Sequence, residues 1–271
     1  NNIVDQSMAS TLIDGSISAL RYGNRLNNLI TEIFITAITT VIYPLLSKEA
    51  TKNSLDGLKK AFIHGINIIL LITVPASIGM ISLASSIVKV AFERGAFNVV
   101  ATSMTTGALI FYSIGIVGSS IRSLVYRVYY SLQDTKTPMK NSFFSFAVNV
   151  SFNIILIKFL AHKGLALATS ISAIAAALFL LYNLKKKIGS FGFSNSIRCG
   201  VKSLIASIIM GIAVYFLHGI LARTFGGNSW SELLALVISI GVGAIVYFII
   251  IYFFKIEEVD WAIKTIKNKV T

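Results

Sequence analysis

Charged side chains interrupt an otherwise apolar segment near the start of the chain. Arg21, Arg25 and Glu32 are four and seven residues apart, so they share one face of a helix, with Asn24 and Asn28 beside them. A charge at the centre of a bilayer costs at least ~2.5 kcal/mol, so such residues normally face a protein interior or an aqueous cavity. Guanidinium groups bind phosphate through paired hydrogen bonds. This face is therefore a candidate site for a phosphate-bearing ligand.

Each of these charged side chains has a second interpretation. Arg21 lies one turn inside the start of the segment, where an arginine can snorkel to the membrane interface. Glu32 either lines the cavity or only neutralises Arg25 or a lysine of another helix. A later apolar segment contains Arg122, which either lines the same cavity or forms a structural salt bridge. The sequence leaves these alternatives open.

The composition places these charges in a membrane protein. Of 271 residues, 55% are hydrophobic and only 13% charged, and the mean hydropathy is +0.78. Soluble domains carry ~25% charged residues, and one of this size could not bury so much apolar surface. The chain has only 3 prolines and 1 cysteine, which excludes collagen-like proteins and disulfide-stapled domains. We predict an all-α integral membrane protein whose net charge of +13 reflects loops beside the membrane rather than a nucleic-acid partner.

Seven apolar segments are long enough to span a bilayer as helices, which takes ~20 residues each. They form a predicted transmembrane lobe over residues 16–254, with spans at about 16–46, 58–91, 102–132, 138–160, 164–184, 197–221 and 230–254. Residues 1–15 are interpreted as the end of a truncated preceding helix and an outer loop. Thr137 is the predicted N-cap of the fourth span, since Pro138 follows it.

The C-terminal residues 255–271 carry isoleucine and valine at helical spacing among lysines. This pattern predicts a cytoplasmic amphipathic helix, with a solvated tail as the alternative.

The basic residues predict the orientation in the membrane. Of the 24 Lys and Arg residues, 16 flank one side of the predicted spans and 5 the other. Because cytoplasmic loops carry an excess of Lys and Arg, the C-terminus is predicted to be cytoplasmic.

The sequence contains no soluble-enzyme motif. His64, His162 and His218 lack metal-ligand spacing, and Cys199 has no second cysteine for a CxxC motif. No nucleophile elbow or phosphate-binding loop occurs either. We therefore predict a protein without enzymatic activity, resident metal or cofactor.

Several strings in the first three-fifths of the chain resemble one known family. In order they are ASTLIDGSISALRYGNRL, IFITAITTVIYPLLSKEA, VAFERGAF, LIFYSIGIVG and YYSLQDTKTPMK. They resemble the C-terminal half of the MurJ (MviN) lipid II flippase family, in the multidrug/oligosaccharidyl-lipid/polysaccharide exporter superfamily. The most specific residues are those of FERGAF and QDTKTP: Phe92, Glu93, Arg94, Gly95, Phe97, Gln133, Asp134, Lys136, Thr137 and Pro138.

The resemblance implies a seven-helix lobe, half of a fourteen-helix transporter. Such a protein moves undecaprenyl-diphosphate-linked peptidoglycan precursor, lipid II, from the inner to the outer leaflet of the bacterial cytoplasmic membrane by alternating access. The resemblance also implies that Arg25 is the required cavity residue and that spans 197–221 and 230–254 form a groove for the polyprenyl tail. The implied partners are lipid II, membrane lipids and a missing N-terminal lobe. A coupling ion stays open among Na⁺, H⁺ and Cl⁻.

The chain departs from the family pattern at two positions. Some members carry Asp where this chain has Asn24, and members carry a small residue where it has Glu32. Two other functions stay open: an exporter of another polyprenyl-linked oligosaccharide or of a drug, and a non-transporting membrane scaffold that binds lipid-linked precursor. A scaffold has no need of Arg25, so that residue discriminates between the classes.

Overall fold

The computed structural model describes residues 2–51, 55–225 and 229–256, and the regular structure within them is entirely helical. The helices are α1 (Asn2–Ala9), α2 (Ser16–Thr51), α3 (Leu55–Ser82), α4 (Ala84–Phe92), α5 (Val99–Ile114), α6 (Ile116–Ser131), α7 (Lys136–Leu160), α8 (His162–Ile188), α9 (Phe193–Thr224) and α10 (Ser229–Phe253). The predicted all-α class is confirmed. Of the predicted amphipathic tail, 257–271 lie outside the described residues.

Membrane-length apolar helices dominate the described part of the chain. Five helices are long and apolar enough to cross a bilayer, and α5 with α6 makes a sixth if this bent pair is one span. The 36-residue α2 is not among these five helices. The count of seven spans therefore stays a prediction.

Two of the predicted spans are interrupted in the structure. The segment 58–91 is divided at Leu83, and the segment 102–132 bends by 44° at Gly115. At the second break, the Ser170 hydroxyl of α8 donates to the carbonyl of Phe111 at 2.6 Å, and the Ser77 hydroxyl of α3 donates to that of Ser113. Carbonyl groups freed in a membrane must be satisfied within the protein. Neighbouring serines therefore make this bend tolerable.

Apolar clusters hold the helices together, and two of them position the elements around the site. The first joins α2, α3, α6 and α8 around Phe62, whose ring packs edge-on against Phe191 with centroids 5.3 Å apart. The second joins α9 and α10 to α3 and α4, with Met210 and Tyr247 among its buried members. The result is that α2 lies against α3, α5 and α6, with one face left uncovered for the site below.

Candidate substrate cavity

One face of α2 lines a polar cavity of about 350 Å³. The predicted residues on its wall are Arg21, Asn24, Arg25, Asn28 and Glu32. The remaining lining residues are Leu20 and Leu29 of the same helix, Asp5 and Gln6 of α1, and Tyr112 of α5. The structure therefore gathers every α2 residue singled out by spacing and adds a wall from two other helices.

Gly23 explains why α2 turns its arginines towards the cavity. A Cβ at this position would lie 3.2 Å from Ala108 Cβ and 3.2 Å from the backbone nitrogen of Leu109 on α5, so only glycine permits this approach without displacement. Successive helical residues are ~100° apart, so Arg21 and Arg25 project from the opposite face. The close contact of α2 with α5 thus directs both guanidinium groups away from the helix interface.

The two guanidinium groups have no ion-pair or hydrogen-bond partner within the described part of the chain. Arg21 and Arg25 are exposed and form neither an ion pair nor a hydrogen bond with any described residue. Glu32 likewise forms no ion pair there, so it does not neutralise Arg25 directly. An accessible, unpaired guanidinium can give paired hydrogen bonds to a phosphate. The cavity is therefore equipped to hold an anionic group.

Arg122 does not line this cavity. It is half-buried on α6, beyond the bend at Gly115, whereas the contribution of α5 and α6 to the cavity wall consists of Tyr112. Nor does Arg122 form an ion pair with a residue in the described ranges. Arg122 lies ten residues after Tyr112, the α5 residue on the cavity wall, and the 44° bend at Gly115 falls between them.

Asp5 connects the cavity wall to a buried polar cluster on α7 and α8. Its carboxylate accepts hydrogen bonds from Asn153 Nδ2 at 2.6 Å and from Thr169 Oγ1 at 3.2 Å. Asn153 Nδ2 also lies 3.3 Å from Asn149 Oδ1. A buried carboxylate requires such partners to offset its lost hydration, and Asp5 is only 4% exposed. The cluster therefore fastens α1 to α7 and α8.

This cluster was not predicted from the sequence, although α7 carries a signal for it. Asn141, Ser145, Asn149 and Asn153 recur every four residues and all are buried. The exposed side chains of the same helix are mostly apolar and include Phe143, Phe146, Ile154, Ile155 and Phe159. In a membrane, lipid solvates the apolar face, so a polar stripe at helical spacing marks the face turned inward.

The aromatic residues of FERGAF contact the cavity helix without lining the cavity. The rings of Phe92 and Phe97 lie 4.6 Å and 5.2 Å from that of Tyr22 on α2, measured between centroids. Tyr22 directly follows Arg21. The aromatic group therefore fixes the position of α2 next to its arginines.

The other FERGAF residues form the turn between α4 and α5. Gly95 has a φ of +60°, a conformation that favours glycine. The Phe97 amide donates to the Arg94 carbonyl at 3.1 Å and closes the turn. The Glu93 carboxylate accepts a hydrogen bond from the Thr102 hydroxyl at 2.6 Å, which ties the turn to α5.

The QDTKTP residues form the turn between α6 and α7, and one prediction about them is wrong. Helix α7 begins at Lys136, so Thr137 lies in its first turn and is not the N-cap. The Asp134 carboxylate instead accepts hydrogen bonds from the Thr137 amide at 3.0 Å and from its hydroxyl at 2.8 Å. Gln133 takes a φ of 56° and Pro138 is buried. A carboxylate three residues upstream satisfies a free helix-start amide better than the predicted threonine.

Asp134 also forms an ion pair with Lys187 of α8. Burial raises the pKa of Asp134, but the hydrogen bonds from Lys187 and Thr137 outweigh it and hold the pKa at about 2, against an ordinary 3.8. A lowered carboxylate pKa stabilises the folded state above the unfolded value, and this contribution is lost as the pH falls through the folded value.

We expect Asp134→Asn to destabilise the full-length protein by about 1 kcal/mol at neutral pH, because the ion pair is partly exposed and screened. Thermal unfolding in detergent should show the difference from wild type unchanged between pH 7 and pH 5. The difference should shrink from pH 4 towards pH 2. A constant difference down to pH 2 would contradict the role of the ionised carboxylate.

A second cavity, of about 510 Å³, is almost wholly apolar. Its walls come from α3, α4, α9 and α10, with Ile30 contributed by α2. The lining residues from the last two helices are Met210, Val214, Ile240, Gly243, Ala244, Tyr247 and Phe248. Gly243 is needed for this packing, because a Cβ there would lie 2.5 Å from a Val214 methyl group. The last two helices thus form one side of an apolar slot.

The described ranges offer no metal centre. No group of three His, Cys, Asp or Glu side chains within 2–51, 55–225 and 229–256 is placed to hold an ion. Cys199 is buried between α9 and α3, with its sulfur 4.0 Å from the Asn67 carbonyl oxygen. The chemistry available at the polar cavity is therefore that of guanidinium, amide and carboxylate groups.

Comparison with known proteins assigns the family. The sequence model of the family described as lipid II flippase MurJ matches residues 1–254. The chain belongs to this family. Relatives named "probable lipid II flippase MurJ" include those of Rickettsia prowazekii, 29% identical over 266 residues, and Thermotoga maritima, 31% identical over 261 residues. These alignments cover 96% and 95% of this chain but 51% and 50% of the relatives, so the chain spans about half their length.

One solved structure agrees with this family. A structure described as lipid II flippase MurJ in an inward closed conformation matches with a TM-score of 0.77 and 29% identity, covering 93% of this chain and 50% of that one. An outward-facing multidrug MATE transporter matches with a TM-score of 0.60 at 16% identity, which shows a shared fold alone. With its membrane-length helices, this MurJ-family chain is part of a multi-pass membrane protein.

Proposed function

We propose that this chain is the C-terminal lobe of a lipid II flippase in the bacterial cytoplasmic membrane. Lipid II joins an anionic diphosphate and a polar head group to a long apolar tail. The head group cannot cross ~30 Å of hydrocarbon unaided, so a transporter needs a polar cavity for it and an apolar slot for the tail. The two cavities described above have these properties.

The polar cavity is the proposed head-group site. Arg25 and Arg21 supply guanidinium groups for the diphosphate, and Asn24 and Asn28 supply amides for neutral polar groups. Because neither arginine is held by a described carboxylate, binding requires no ion pair to break there. We assign Arg25 the main role because it lies deeper along α2 than Arg21, which is the better placed of the two to reach the membrane interface.

The apolar cavity is the proposed tail site. Its wall is apolar throughout except for the Tyr247 hydroxyl, which is engaged by donating to the Leu71 carbonyl at 2.8 Å. An isoprenoid chain needs only apolar contact, so such a wall suits it. This assignment agrees with the tail groove that the family resemblance places on the last two helices.

One observation carries the proposal: the two cavities lie on different faces of the same turns of α2. Asn28 and Glu32 line the polar cavity, while Ile30 lines the apolar one. A single amphiphilic ligand could therefore contact both faces of this helix. We propose that the part of the full-length protein outside this chain closes the open side of the polar cavity and completes an alternating-access transporter without covalent chemistry.

Transport by the purified full-length protein tests the proposal. Vesicles containing the protein and fluorescently labelled lipid II are treated with a membrane-impermeant quencher, and leaflet exchange is followed with time. We expect exchange well above that of protein-free vesicles and of vesicles containing Arg25→Ala. Exchange at the protein-free rate would indicate a scaffold. Equal exchange of an unrelated drug-like substrate would indicate a general exporter.

The orientation of this lobe is a separate prediction. Reporter enzymes fused after Lys187 and after Asn228 should be found inside and outside the cytoplasm, respectively, because basic residues concentrate on the Lys187 side. Paired fusions to a cytoplasm-active and an export-active reporter make each position its own control. The reverse pattern would invert the proposed topology.

A further inference from the structure

We propose that Ser86, His218, Glu232 and Lys89 form a polar clamp that sets the separation of α4, α9 and α10, and thereby the width of the apolar cavity. The role of this clamp in tail binding rests on the proposed function. The clamp itself rests on contacts between helices that are distant in sequence.

The contacts form a chain across three helices. The Ser86 hydroxyl of α4 lies 2.6 Å from Nε2 of His218 on α9. The same nitrogen lies 3.7 Å from the Glu232 carboxylate of α10. Lys89, one turn after Ser86 on α4, donates to that carboxylate at 3.0 Å. Direct hydrogen bonds thus join α4 to α9 and α4 to α10, and the 3.7 Å approach of His218 to Glu232 brings α9 and α10 together at the same point.

The clamp is largely protected from solvent. His218 is 8% exposed and the Glu232 side chain 12%, while the Lys89 side chain is 43% exposed. Polar groups held in a low-dielectric setting interact more strongly than they would in water, and losing one partner leaves another unsatisfied. The buried His218 to Ser86 contact is therefore the stronger end of the clamp, and the exposed Lys89 end the weaker.

The clamp lies just beyond the apolar cavity. Ile87 of the cavity wall directly follows Ser86, and Val214 precedes His218 by one helical turn. At the far end of the cavity, Tyr247 of α10 lies 2.8 Å from the Ser203 hydroxyl of α9. The cavity walls are thus tied by polar contacts at both ends, and only apolar packing joins α10 to its neighbours between them in the described ranges.

The contacts of the His218 ring are those of a structural clamp and differ from those of a catalytic relay. In a relay, serine and carboxylate contact opposite nitrogens of the histidine ring. Here both Ser86 and Glu232 face Nε2, and Nδ1 of His218 is buried without a hydrogen-bond partner among the described residues. A proton cannot pass from the hydroxyl through this ring to the carboxylate. His218 is accordingly a positioning residue.

Distance measurement between α4 and α10 tests the clamp. Spin labels are placed on cysteines at the exposed positions Ser85 and Leu234, in full-length protein whose native cysteines are replaced. We expect His218→Ala to give a longer and broader distance distribution than wild type. His218→Gln should restore the wild-type distribution, because the glutamine amide can occupy the place of Nε2. Thr224→Ala is the matched control on α9, since its hydroxyl bonds only within its own helix.

Two outcomes would overturn the clamp. In the first, His218→Ala leaves the distribution unchanged. In the second, His218→Gln disturbs it as much as alanine does, which would assign the effect to ring packing. Ser86→Ala provides a smaller change that should fold normally and shift the distribution in the same direction as His218→Ala.

Binding of polyprenyl phosphate probes tests whether the clamp affects binding of the lipid tail. We expect His218→Ala to weaken binding of a long-chain polyprenyl phosphate about tenfold, the effect of one buried hydrogen bond, and to leave a short-chain analogue with the same phosphate unaffected. Equal weakening of both probes would overturn the tail role. The distance result does not depend on transport, so a failure of the flippase proposal, seen as lipid II exchange at the protein-free rate by the wild-type protein, is distinguishable from a failure of the clamp.

Discussion

We expect cells depleted of their native lipid II flippase to stop growing when the full-length protein that they carry has Arg25 replaced by alanine, as the proposed function requires. The structure places this guanidinium on the wall of the polar cavity, exposed and unpaired among described residues. A hydrogen bond to a charged group contributes ~1.5–3 kcal/mol, so losing one charged anchor weakens diphosphate binding ~10- to 100-fold. Growth under depletion of the native flippase, together with accumulation of precursor on the inner leaflet, provides the measurement.

Two further substitutions identify what Arg25 contributes. Arg25→Lys keeps the charge but not the paired geometry, so we expect partial growth. Arg223→Ala removes the same residue type from the exposed end of α9, where it lines neither cavity, and should grow as wild type. Immunoblotting must show equal amounts of all variants in the membrane. Full growth of Arg25→Ala at wild-type abundance would remove the basis of the head-group assignment.

A large loss of stability is expected for Gly118→Ala. A Cβ at this position would lie 2.9 Å from the Ile174 Cα and 3.0 Å from the Ala173 carbonyl carbon of α8. These are backbone atoms, so the clash cannot be relieved by rotating a side chain. Overpacking costs ~1–3 kcal/mol, and we expect the upper end of this range because two helix backbones must separate. Thermal unfolding of the full-length protein in detergent measures the loss.

Gly219 is the matched control for Gly118. Both are helical glycines, but a Cβ at position 219 would meet no atom within 4 Å. Gly219→Ala should therefore be neutral or stabilising by up to ~1 kcal/mol, since alanine is the better helix former. If the two variants unfold at the same temperature, close packing of α6 on α8 is not what position 118 requires.

Properties that depend on local spacing could be predicted from the sequence. The all-α class follows from the length and apolarity of the segments, because a bilayer accepts only backbone that satisfies its own hydrogen bonds. The shared face of Arg21 and Arg25 follows from the helical repeat, and the structure places both on one cavity wall. The roles of these residues in binding stay predictions.

Properties that depend on which helices meet could not be read from the pattern. The partner of Asn153 is Asp5, 148 residues away, and the partner of His218 is Ser86, 132 residues away. Near the bend at Gly115, carbonyl groups of α5 accept hydrogen bonds from serines supplied by α3 and α8. The Asp134 carboxylate, which accepts from the Thr137 amide, also pairs with Lys187 of α8, 53 residues away.

The sequence pattern therefore indicates that this protein lies in a membrane, and it indicates which face of the first long helix is polar. Both are set by transfer free energies and a helical repeat that act on neighbouring residues. Which polar groups pair, and where helices break, depend instead on how the helices pack against one another. Those outcomes depend on close backbone contacts such as that of Gly23 with α5, whose geometry is fixed only when the helices pack.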